Sequence, residues 1–172
     1  MSPSFDLPIA SLSEEQCLVF LSPGDRDRAV DLGVFYLEAP PDLDLESARQ
    51  FGLGLIPLDS PYRNVPTYGE LEGFIALENN QQIKLALRRE RWNQHYPTDI
   101  SAFGRRLDAI GVAIMCEVFH HSGIPEALWD RASGGYTSGG GDAFLNLVHY
   151  RTRTPDWGLR PHTPTAKVLL TT

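Results

Sequence analysis

Apolar residues recur along this chain with two periods, and the change between them divides it. Phe103, Leu107, Ile110, Ile114 and Val118 step by four, three, four and four, the spacing of a buried stripe on one long amphipathic helix near residues 100–122. Arg105, Arg106, Asp108 and Glu117 fall off that stripe, and Gly104 and Gly111 leave room for another backbone to approach. The helix is expected to end at Ser122-Gly123-Ile124-Pro125, with glycine just past its last turn and proline following. His120 and His121 fall in that last turn, where a positive imidazole complements the helix dipole. Neighbouring helical residues point about 100° apart, so capping suits this pair better than sharing a metal. Further on the period shortens. Residues 144–151 and 167–172, rich in Leu, Val, Phe and Tyr, read as two strands separated by Thr154-Pro155-Asp156-Trp157-Gly158.

Upstream the pattern predicts shorter elements. Residues 5–12 alternate loosely, and Pro8 marks them as an edge strand. Ser13 and Gln16 are spaced as a capping box, predicting a short helix from Ser13. Residues 25–32 suit a helix closed by Gly33, and residues 34–37 a buried four-residue strand. Residues 43–55 predict a helix with Leu45, Ala48, Gly52 and Leu55 on one face and Asp42 or Asp44 as its cap. Residues 57–73 carry too many prolines for anything but loop, and residues 74–91 show patchy helical spacing. Trp92, His95 and Tyr96 form a polar–aromatic cluster in which His95 is expected to pack on Trp92. Pro125 opens a second short helix through Ala132. The glycine-rich run 134–141 has neither the spacing nor the lysine of a phosphate loop, and strand follows it, so it reads as a connector. The expectation is an α+β fold in one domain, 1–172, mainly helical over 1–133, with a glycine linker and core strands over 134–172.

Charge narrows the partners. A net charge of −7 argues against a polyanion. Arg88-Arg89-Glu90-Arg91 carries its own acid and reads as a solvated helix face, so no nucleic-acid partner is expected. No apolar run approaches the roughly 20 residues that span a bilayer, and the first residues lack the pattern of a signal peptide. No membrane partner and a cytoplasmic setting are expected. Cys17 and Cys116 stand far apart in apolar company, which predicts two buried free thiols.

A resemblance sharpens the picture. His149-Tyr150, a proline-containing loop, Gly158, then Arg160-Pro161-His162 and Lys167-Val168-Leu169-Leu170 resemble the first half of the jelly-roll core of isopenicillin N synthase-like oxygenases. The helix–Gly33–Val-Phe-Tyr-Leu unit and the long helix followed by Gly-Ile-Pro and a short helix are similar to that family's layout upstream. The resemblance implies iron(II) and 2-oxoglutarate as cofactors and hydroxylation or a related oxidation of a small-molecule substrate, in a setting such as secondary metabolism. It implies a jelly-roll (double-stranded β-helix) core of which this chain holds only the first strands. It makes His162 a metal ligand. The family's histidine opens a His-x-Asp pair that holds iron, whereas the position two residues on is here Pro164. The second histidine, and the arginine and serine that hold 2-oxoglutarate, come in that family from strands beyond those matched here. A second chain or an oligomer completing the core is therefore expected, and no residue is assigned a catalytic role. Asn146, Val148 and Tyr150 fall on one side of their strand and Leu147 and His149 on the other. Either side could line a pocket, which makes Asn146, His149 and Tyr150 candidates for substrate or cofactor binding, although a packed or surface histidine is the ordinary reading of His149. Pro164 also fits a degenerate or truncated, non-catalytic relative that acts as a binding or interaction module.

Overall fold

A computed structural model describes residues 6–55, 57–77, 82–150 and 166–171. Strands β1 (Ile9–Leu12) and β2 (Leu18–Phe20) form an antiparallel hairpin. Helix α1 (Asp25–Leu32) leads to β3 (Tyr36–Leu37), which pairs parallel with β1, giving the order β2-β1-β3. Helix α2 (Leu45–Gly54) and a 3₁₀ turn (Pro61–Asn64) precede β4 (Gly73–Leu77) and β5 (Gln82–Arg88). A 3₁₀ turn (Arg89–Arg91), α3 (Trp92–His95), the long α4 (Thr98–His121) and α5 (Trp129–Ala132) follow. After a 3₁₀ turn at Tyr136–Ser138, β6 (Phe144–Tyr150) and β7 (Ala166–Thr171) complete an antiparallel sheet ordered β4-β5-β6-β7. The fold is thus mixed α and β, two small sheets with one long helix.

The core sits on one face of the larger sheet. Ile83, Leu85 and Leu87 alternate inward from β5, Leu145 and Leu147 do so from β6, and Ala48, Trp92, Tyr96, Ile100 and Phe103 meet them from the helices. Trp92 and Tyr96 also fasten the two layers by hydrogen bonds. The Trp92 indole N–H donates to the Leu87 carbonyl at 2.8 Å. The Tyr96 hydroxyl lies 3.1 Å from the Leu85 carbonyl and 2.9 Å from that of Leu145, tying adjacent strands to one phenol. Ser101 donates to the Trp92 carbonyl at 3.1 Å, which joins α4 to α3.

Several expectations hold. α1 ends at Gly33 in the left-handed conformation, φ 65°. Asp44 caps α2 by accepting from the Ser47 N–H at 2.9 Å. α4 closes with Gly123 at φ 69° and the Ile124 N–H on the Phe119 carbonyl. Residues 134–141 connect α5 to β6, and β6 pairs with β7 as a hairpin would.

Others are corrected. Residues 74–91 form β4 and β5 instead of a helix, because Ile83, Leu85 and Leu87 are buried with a period of two. Besides its helices, the part up to residue 133 thus holds five strands among the described residues. Ser13 starts no helix. Its N–H donates to the Cys17 carbonyl and its hydroxyl accepts from the Cys17 N–H, so the oxygen suited to a helix cap closes the β1–β2 turn, with Gln16 at φ 63°. β1 is the central strand of its sheet, not an edge. Pro8 lies just outside it and contributes only a carbonyl, which accepts from the Tyr36 N–H, so the missing donor costs nothing. β3 is shorter and less buried than expected, with Val34 46% and Tyr36 58% exposed, because it is an edge strand. Cys17 is exposed on the hairpin turn and Cys116 is half-buried, since Leu18 takes the inward position beside Cys17. The α4 stripe holds through Ile110 and then drifts. Steps of four overshoot the 3.6-residue turn, and Val118 is 52% exposed; Phe119, about 100° further round the helix, is buried near Trp129. His95 hydrogen-bonds the Tyr68 hydroxyl at 3.1 Å.

Gly104 admits side chains, not the backbone expected from the sequence. A Cβ there would stand 3.0 Å from Leu145 and 3.1 Å from the Trp92 ring. Gly104→Val should lower the unfolding free energy by about 2 kcal/mol through overpacking. Urea denaturation followed by tryptophan fluorescence measures this, and an unchanged midpoint would mean that α4 does not press on Trp92.

Candidate functional site

β6 carries the candidate residues because its Leu145 and Leu147 are drawn into the helix-covered core. It is held on both sides, by β5 and by β7. Asn146, half-buried, stands opposite Ala86 in β5 and Leu169 in β7. His149 stands opposite Ile83 and Ala166, and Tyr150 opposite Gln82. Position 149 thus shares the parity of Leu145 and Leu147, and positions 146 and 150 have the other parity. The structure brings the three onto one central strand, but at positions belonging to two faces. His162 and Pro164 lie outside the described residues.

The residues matched by the resemblance supply only part of an iron centre. The chain offers His162, with proline where the resemblance calls for a carboxylate. Among the described residues no group of three or more His, Cys, Asp or Glu could hold a metal ion. A mononuclear site with a facial histidine–histidine–carboxylate set needs more donors than that.

Beside the sheet lies a charged frame that the sequence did not single out. Glu72, only 4% exposed, accepts from the Arg88 N–H at 3.0 Å and pairs with the guanidinium groups of Arg88 (3.5 Å) and Arg91 (3.6 Å). Arg91 lies over the Tyr68 ring, and Arg88 also reaches Asp142 at 3.2 Å and stacks on Phe144. Arg89 pairs with Asp108 at 2.7 Å and donates to the carbonyls of Gly139 and Gly140, which anchors the glycine connector. The Tyr136 hydroxyl donates to the Asp108 carbonyl at 3.3 Å. The arginines 88, 89 and 91, expected on a solvated helix face, are instead spent on ion pairs around a 3₁₀ turn. Two phenols here are held protonated well above their ordinary range. Burial is the main cause for both, and the charge of Glu72 adds to it at Tyr96, that of Asp108 at Tyr136. These groups brace the strand ends and offer no free base. The available signal was the proximity of three arginines to a β-strand end, which the helical reading of residues 74–91 hid.

A concavity of about 360 Å³ opens between the small sheet, α1 and the C-terminal half of α4. Leu18, Phe20, Phe35 and Ile114 line it, and Arg26 pairs with Glu117 at 2.6 Å beside them. Among the described residues no helix is long and apolar enough to cross a membrane.

No protein-family model and no curated protein matches the chain. Function therefore has to be argued from these residues.

Glu72→Ala should cost about 2 kcal/mol, less than a fully buried pair because both arginines reach solvent. Asp142→Ala, at an exposed carboxylate, should be close to neutral. Equal urea midpoints for the two variants would show that Glu72 does not brace the sheet.

Proposed function

We propose that the chain is a relative of the isopenicillin N synthase-like iron(II), 2-oxoglutarate-dependent oxygenases, supplying a helical flank and the first strands of a jelly-roll core. The supporting observation is the antiparallel β6–β7 pairing on either side of the His162 segment, within a sheet backed on one face by α2, α3 and α4. Oxidation of a small-molecule substrate is the activity of the completed core. A second chain or a further copy would supply its remaining strands, in a cytoplasmic setting. Either Asn146 and Tyr150 or, on the other side of the strand, His149 then borders the substrate or co-substrate, and His162 is the one metal ligand drawn from this part of the core.

Pro164 favours a second reading, a non-catalytic relative that keeps the scaffold and binds a ligand or protein. The two readings part on metal affinity. A single imidazole without a carboxylate should hold iron(II) weakly and release no succinate from 2-oxoglutarate. Pro164→Asp places a carboxylate two residues from His162, where alternate positions of an extended chain share a side. It should tighten iron(II) binding by about tenfold in calorimetry, roughly the worth of one added charged ligand, 1.4 kcal/mol. No gain in affinity would remove His162 from the metal site and with it the oxygenase reading. Succinate release by the unmodified chain would instead require another residue, His149 first, to complete the metal shell.

A further inference from the structure

The concavity between the small sheet, α1 and α4 shares no lining residue with the β6 site. At about 360 Å³ it falls in the range of small-molecule sites. α1 lends Arg26 and Val30, one turn apart, and α4 lends Ile114, Glu117 and Val118. Phe20 and Phe35 close the sheet side, meeting edge to face with ring centroids 5.5 Å apart. Phe20, Phe35 and Ile114 are half-buried, while Val30 and Val118 are 50% and 52% exposed, so the space opens to solvent between the helices. The Glu117 carboxylate stands in this apolar wall, its side chain 18% exposed. Its Oε1 is closed to water and accepts no hydrogen bond among the described residues, although Arg26 Nη2 lies 2.6 Å away. A buried carboxylate oxygen without a directed donor is costly, and a ligand that brings one recovers that cost. The surroundings carry the same sign. Residues 9–38 hold six acids, Glu14, Glu15, Asp25, Asp27, Asp31 and Glu38, against two arginines and no lysine. Both arginines are already paired, Arg26 with Glu117 and Arg28 with Asp6 and Asp25.

We infer that this concavity binds a small aromatic primary amine, its ring against Phe20, Phe35 and Ile114 and its ammonium on Glu117. Charge complementarity selects a cation over an anion, and the apolar lining selects a ring over a bare metal or ammonium ion. An ammonium carries three donors, so it can meet Glu117 Oε1 while Arg26, 45% exposed, swings to solvent. A cation beside two phenyl rings gains further from their quadrupoles. The site needs neither a metal nor a completed jelly roll, so it stands or falls apart from the oxygenase reading.

The test is calorimetric titration of the full chain with phenethylamine. Saturable one-to-one binding is expected. Phenethyl alcohol, its neutral counterpart, should bind about tenfold more weakly, the usual worth of a charge-assisted contact. Hydrocinnamate, which joins the same ring to a carboxylate, should bind more weakly still. Glu117→Gln should cost about tenfold in amine affinity. Val30→Lys and Val118→Lys, at exposed rim positions, should each weaken the amine about threefold by like-charge repulsion and the alcohol less. Circular dichroism and the urea midpoint identify the folded variants. Absence of amine binding to the folded wild-type chain would overturn the inference. So would the alcohol binding as tightly as the amine, or equal amine affinity in the wild type and every folded variant. Sedimentation showing a dimer that both lysine variants dissolve and phenethylamine does not would overturn it too, assigning the concavity to a second copy.

Discussion

The attachment of helices to the larger sheet runs through Trp92. Its fully buried ring fills the space left by Gly104, its N–H holds the Leu87 carbonyl, and its own carbonyl accepts from Ser101. Packing alone would let α4 slide along the strands, because apolar contact is not directional. A buried N–H must find an acceptor or pay for its desolvation, which fixes one register between α3 and β5. Tyr96, one turn on, extends the same constraint to β6 through the Leu85 and Leu145 carbonyls. The position of β6, and so of Asn146, His149 and Tyr150, follows from these two aromatic side chains.

How much of this could be read in advance depended on whether a signal was local. α1 with Gly33, α2 with Asp44 and α4 with Gly123 were legible because caps and left-handed glycines act within a few residues. β4 and β5 were not, since Phe74, Ile83 and Leu85 become a strand pattern only once β6 and the helices bury one face. Ser13 shows the opposite failure, a local signal that was present but served a hairpin turn. At the candidate site the strand and the alternation that separates His149 from Asn146 and Tyr150 were legible, and the register that sets them opposite β5 and β7 was not. Glu72 was invisible for the same reason: its partners Arg88 and Arg91 lie sixteen residues and more away, joined to it by strand pairing.

Charge is distributed unevenly around this framework. Arg88, Arg89 and Arg91 are clustered at the end of β5, where Glu72, Asp108 and Asp142 neutralise them. The strands themselves carry no acid at all. In a chain of net charge −7 that separation is not what composition alone would produce. Strands disfavour lysine nearly as much as glutamate, so propensity cannot account for keeping one and excluding the other. The arginine frame has its counter-ions within the fold and is structural.

The same reasoning limits where chemistry can occur. The helix side of the larger sheet is filled by Trp92, Tyr96, Ile100 and Phe103, leaving no room for a ligand against Leu85 or Leu145. The Tyr96 phenol there is held protonated by burial and is tied to two strand carbonyls, so it cannot act as a base. A molecule bound on this sheet therefore does not lie against Leu85 or Leu145, and the position of Asn146 has the other parity by register. That other face is covered in part as well, since Ala86 and Val148 on it are buried. In this protein the helix-covered face is held by the hydrogen bonds of Trp92 and Tyr96 to the strands and by the close fit of Gly104 on the indole.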